Sequence, residues 1–149
     1  EDTGIPKLIR DAQVFPIWEG TTNILSLDVL RALKKECNYD ILLRDLNQRI
    51  QRLEETKEKR QLIDMIQNLT SFARDIETTE DSDFAQASAR EFAMCVSRIY
   101  IASLLADTAQ KNQTERSKFV LRRWLELTPQ NYFRANSSRR NETSKIISE

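Results

Sequence analysis

Residues 62–76, LIDMIQNLTSFARDI, are the stretch on which the fold turns. Leu62, Ile66, Leu69, Ala73 and Ile76 recur at steps of three and four, the spacing that lines up side chains on one face of an α-helix. Upstream, Leu43, Leu46, Ile50 and Leu53 keep the same rhythm from a start near Asp40, a plausible cap. The intervening EETKEKRQ, residues 54–61, is entirely polar but contains neither Gly nor Pro. The spacing therefore predicts one long helix from about Asp40 to Ile76, with the charged patch as a solvated face.

Downstream, TTEDSD at 78–83 reads as an interhelix loop with Asp83 capping the next helix. That helix is expected to run from about Phe84 to Asn112. It would turn Phe84, Ala87, Phe92, Val96, Ile99, Ala102 and either Leu105 or Ala106 toward a core, with alanines and serines allowing close packing. Asn112 to Thr114 breaks it. A last amphipathic helix follows with Phe119, Val120, Trp124 and Leu125 or Leu127 inward, stopping before Pro129. The tail from Arg134 to Glu149 is polar, with too few apolar residues to order itself, and is expected to be mobile.

Composition agrees with an all-α chain, an antiparallel helical bundle. Two glycines and three prolines in 149 residues leave few turn signals, and no alternating β-branched run is long enough for a strand. A chain of this length supports one core and not two full domains. The 23 basic and 23 acidic side chains balance, which weighs against a whole-chain electrostatic grip on nucleic acid. Cys37 and Cys95 are far apart and there is no histidine, so a zinc site lacks its usual ligands and both cysteines read as reduced thiols. No uninterrupted apolar run approaches the roughly 20 residues of a membrane span.

Toward the start, RDAQVFPIWEGTTNILSLDVLR at residues 10–31 places one carboxylate, Glu19, beside a glycine and a helix start. Pro6 suits the first turn of a short helix to about Ala12, and Val14 to Glu19 reads as a connection that Pro16 keeps from being helical. Thr21, Thr22 and Asn23 are all good N-cap residues for a helix ending near Lys35. Trp18 and the apolar VFPI segment could keep water from Glu19, and a dry carboxylate has a raised pKa suited to proton abstraction. Gly20 lets the backbone come close to a ligand, and the helix start offers unpaired N–H groups and a positive dipole end. The bland alternative is a helix that simply begins with an acidic residue before a Thr cap.

Arg10, Asp11, Ala12, Trp18, Glu19, Gly20 and Thr21 together resemble the C-terminal motif of the acyl-CoA dehydrogenases, which oxidise a fatty acyl-CoA to its 2-enoyl-CoA with FAD. The resemblance implies Glu19 as the catalytic base that abstracts the α proton. It implies Thr21 and Asn23 as FAD contacts, and Gly20 and Trp18 as the border of the acyl thioester. The family commonly has tyrosine at the position of Trp18 and often glutamine at that of Asn23. Arg10 and Asp11 would hold the loop by ion pairing. Beyond Cys37, the chain is similar to the helical C-terminal extension of the very-long-chain and alkylation-response relatives.

On this reading residues 1–37 end a catalytic domain, 38–133 form the extension and 134–149 the tail. The opening at Glu1, without methionine, is what a C-terminal fragment inactive on its own would show. The resemblance also implies a homo-oligomer, dimer or tetramer, and an electron-transfer flavoprotein or oxygen as electron acceptor. An intracellular location follows, with mitochondrion, peroxisome and cytosol not distinguished. Two readings from other classes stay open. One is a relative that binds acyl-CoA or fatty acid without turnover; the other is a helical module for oligomerisation or contact with a membrane surface. Arg116, Lys118, Arg122 and Arg123 beside Phe119 and Trp124 could form a basic contact surface, although such a pattern is more often a core stripe with a basic rim.

Overall fold

A computed structural model describes residues 3–18, 21–35 and 38–128, with the side chains at 15–18, 34, 35 and 38 excepted. Glu19, Gly20, Cys37, Pro129 and the polar tail lie outside the described residues. Six helices follow one another: α1 (Ile5–Trp18), α2 (Thr22–Lys35), α3 (Asn38–Gln51), α4 (Lys57–Thr78), α5 (Ser82–Asn112) and α6 (Glu115–Glu126). The fold is all-α, and α2 to α6 pack together as a bundle.

The expected face of α4 is the buried one. Leu62, Ile66, Leu69, Ala73 and Ile76 are all buried, and Met65 and Phe72 fill the gaps between them. This face meets α5 through Ala85, Ala89, Phe92, Cys95, Ile99, Ala102 and Ala106. Phe72 meets Phe92 edge-on, with ring centroids 5.7 Å apart at 87°, a favoured aromatic geometry. Leu30 and Leu33 of α2, Leu46 and Ile50 of α3, and Leu121 and Leu125 of α6 complete the core. Buried Ser26 and Ser103 cost little, because their hydroxyls donate to the carbonyls of Thr22 (2.6 Å) and Tyr100 (2.7 Å) within their own helices.

The single long helix expected from Asp40 to Ile76 is in fact two. Residues 52–56 form a turn between α3 and α4, entered through the short bonds Arg52 N–H to Arg49 O and Leu53 N–H to Ile50 O. Thr56 caps the new helix, its hydroxyl accepting from the Lys59 amide. The Gln110 side chain from α5 fastens the turn at two points. Its Oε1 accepts from the Glu54 amide (2.7 Å) and its Nε2 donates to the Arg52 carbonyl (3.0 Å). Neither Gly nor Pro was needed, since a side chain 56 residues away supplies the missing backbone partners.

Three other expectations shift. Asp81, not Asp83, caps α5, accepting from the amides of Asp83 and Phe84. The buried face of α5 is offset from the expected one: Ala87 is exposed and Phe84 and Val96 are half-buried, while Ala85, Ser88, Ala89 and Cys95 go inside. Small residues win there because they let the backbones of α4 and α5 approach closely. In α6 the inward pair is Leu121 and Leu125, with Trp124 half-buried and its indole N–H donating to the Arg98 carbonyl (3.1 Å). Phe119 and Leu127 are 61% and 59% exposed, because α6 leans mainly on α5 and needs only a narrow stripe.

Pro16 lies inside α1, not in a connection. It falls in the last turn, where its missing N–H removes one backbone bond at the end of the helix. Among the described residues α5 is long and apolar enough to cross a membrane by length and composition, although no uninterrupted apolar run marks it out. One of its faces is the core of this bundle.

These assignments give opposite outcomes for two phenylalanines. Phe72→Ala should cost about 3–5 kcal/mol in chemical denaturation, whereas Phe119→Ala should stay within about 0.5 kcal/mol.

Candidate functional site

The start of α2 divides into a part held by the core and a part that faces away from it. Leu30 and Leu33, two and three turns in, are buried and fix the helix to the bundle. Thr21 and Asn23 are exposed at its beginning. The Thr21 carbonyl accepts from the Leu25 amide (3.1 Å), which makes Thr21 the residue from which the helix departs. The amides just after it precede the first intrahelical bond and point out of the helix start, where the dipole is positive.

The surrounding surface is unusually apolar. Ile24 is 53% exposed, and Leu25 and Leu27 are exposed beside it. In α1, Ile5, Leu8, Ile9 and Val14 are exposed as well, and every described side chain from Lys7 to Val14 faces solvent, Arg10 and Asp11 included. Among its described side chains α1 has no buried one, and so lacks there the packing that normally stabilises a 14-residue helix. Seven large apolar side chains on these two helices, four on α1 and three on α2, are exposed.

Of the five residues singled out in the sequence, Thr21 and Asn23 are therefore brought together at one helix start. Trp18 ends α1, and nothing is stated of its side chain; Glu19 and Gly20, between the two helices, are outside the described residues. What the helices establish is that the segment carrying Glu19 leads directly into an exposed helix start. The chemistry available there is that of unpaired amides, a hydroxyl and a carboxamide beside apolar surface. This suits a ligand with a polar or anionic group and an apolar body.

Other reactive groups are occupied in structure. Burial pushes the Cys95 thiol up to about 12, with Glu91 adding and Arg98 opposing. Burial likewise pushes Tyr39 up to about 12; nearby Thr70 opposes this, and Glu77 and Asp40 add to it. The Tyr39 hydroxyl is buried without a hydrogen-bond partner, and Thr70 nearby donates its own proton to the Ile66 carbonyl. Among the described residues no cluster of His, Cys, Asp or Glu is set to hold a metal ion. A hollow of about 370 Å³ lies away from α2, between the α3–α4 turn, α5 and α6. Sequence reading missed it, since its walls come from three separated segments.

Comparison with known proteins bears on this arrangement. Residues 28–147 match the family model described as "Acyl-CoA dehydrogenase 11 C-terminal domain-like". The chain is 40% identical over 122 residues to acyl-CoA dehydrogenase family member 11 of Caenorhabditis elegans, covering 73% of this chain and 19% of that protein. It is 49% identical over 43 residues to the putative acyl-CoA dehydrogenase AidB of Escherichia coli (strain K12), covering 28% of this chain and 8% of that protein. The chain thus spans less than a fifth of the length of these relatives. No solved structure matches it.

The two raised values set an alkaline limit on stability. An ordinary thiol ionises near 9.0 and an ordinary phenol near 10.0, whereas the folded groups do so only near 12. The unfolded chain therefore releases protons first as pH rises, and the folded state loses ground through that window. Denaturation midpoints should hold below pH 9 and fall between about 9 and 12, and the fall should be shallower in Cys95→Ala and in Tyr39→Phe. At neutral pH, Tyr39→Phe should be neutral or stabilising, because it removes an unsatisfied buried hydroxyl.

Proposed function

Since the chain belongs to the acyl-CoA dehydrogenase 11 C-terminal domain-like family, we propose that it is the C-terminal part of an FAD-dependent enzyme that oxidises a fatty acyl-CoA to the 2-enoyl-CoA. The observation that carries this reading is the exposed start of α2. Thr21 and Asn23 are exposed, and so are the neighbouring side chains of Ile24, Leu25 and Leu27, which none of the described residues covers. A site left open on this side is what a catalytic half would present to the remainder of a larger protein.

The residues there fit the cofactor that the family implies. Unpaired amides at a helix start, with the Thr21 hydroxyl and the Asn23 carboxamide beside them, suit the polar and anionic portions of a flavin nucleotide. When bound, FAD would supply the hydride acceptor for the carbon β to the thioester. This chain's own part is the proton. Glu19 takes it from the α carbon, and its basicity depends on apolar neighbours that keep water away. Gly20, lacking a side chain, leaves room for the thioester, and Trp18 forms one wall. A homo-oligomer and an electron-transfer flavoprotein or oxygen as acceptor belong to the same proposal.

The test is flavin bleaching by a panel of acyl-CoAs in the intact parent protein. Glu19→Gln should slow it by about 10²–10⁴-fold, the usual worth of a positioned general base, while acyl-CoA binding persists. Undiminished flavin reduction in that variant would remove Glu19 from the role.

A further inference from the structure

The hollow between the α3–α4 turn, α5 and α6 is built differently from the start of α2. We propose that it binds a small amphiphilic anion, an apolar body carrying one carboxylate or phosphate group, independently of any chemistry at Glu19. Its volume of about 370 Å³ falls at the lower end of small-molecule sites, roughly 300–1,000 Å³. Leu53, Ala106, Ala109 and Leu121 line it with apolar surface. The two alanines are what leave the space. They lie on the buried face of α5, where a larger side chain would close it.

The walls are held in place without a ligand. Gln110 ties the turn to α5, and the Lys59 ammonium, on a side chain only 11% exposed, donates to the Leu53 carbonyl (2.8 Å) and pairs with Glu55. A preformed wall lowers the ordering cost of binding. Lys118 and Arg122 of α6 also line the hollow, and they share one partner, Glu115, at 3.3 and 3.9 Å. That carboxylate is 82% exposed, so it neutralises neither cation well. Thr56 brings the start of the 22-residue α4 to the rim, adding a positive dipole end. Glu54 and Glu58 also line the hollow and Glu55 holds Lys59, so the cations that meet an anion are Lys118 and Arg122, two charges that share the single carboxylate of Glu115.

Titration of the 149-residue chain with phenylacetate, phenyl phosphate, benzyl alcohol and benzylamine, followed by amide chemical shifts, tests this. The expected result is saturable shifts at Leu53, Ala109 and Leu121 with one or both anions, and the stronger of the two identifies the head group. Lys118→Gln with Arg122→Gln should weaken that binding about tenfold or more, and Ala109→Leu should abolish it by filling the space. Benzyl alcohol binding as tightly as the anions, benzylamine binding more tightly, or an unchanged affinity in the charge variant would each overturn the proposal. So would the lack of saturation by either anion. If Ala109→Leu loses helical circular dichroism, the charge variant decides the matter, since it alters exposed side chains only.

Discussion

Helix α5 presents a buried face rich in alanine, serine and cysteine to the large apolar residues of α4, and the edge-on pair Phe72 and Phe92 joins the two helices. Everything else in the bundle is attached to this pair. α2 and α6 reach the core chiefly by laying a short apolar stripe on α5, Leu30 and Leu33 in one and Leu121 and Leu125 in the other, while α3 brings Leu46 and Ile50 against α2, α4 and α5 alike. Small residues along α5 set how near its neighbours come, and the density of the interior follows from that distance. A methyl group added on this face would be felt by four helices at once.

Because the core is gathered around α5, the beginning of the chain is free to do something else. α2 is anchored at its far end and exposed at its near end, and α1 is exposed throughout its described side chains. Rigid support behind and open surface in front is the arrangement that a binding or catalytic residue needs, since precision comes from the packed half and access from the other.

The all-α fold was legible because Leu62 to Ile76 and its neighbours keep helical spacing over many turns, a signal that survives local ambiguity. The break at 52–56 was not legible. Its cause is Gln110, a residue with no sequence signature for reaching a turn 56 positions earlier. Side-chain size is a poor guide to the buried faces of α5 and α6: Phe84 is only half-buried and Phe119 and Val120 are exposed, while Ala85, Ala89 and Leu121 lie inside. At the candidate site, the motif around Glu19 could be read from residue identity and order. That Thr21 and Asn23 face away from the core required the fold, since it depends on which turns of α2 are buried.

The double hydrogen bond of Gln110 gives the α3–α4 turn an uncommon property. Exposed connections usually accept inserted or deleted residues, because nothing beyond their two ends measures their length. Here one carboxamide measures it from outside, with the Arg52 carbonyl and the Glu54 amide fixed two residues apart against a rigid helix. Change in this turn among related chains should therefore be confined to substitution. Chain length from 52 to 56 should stay constant wherever glutamine is kept at the position facing it.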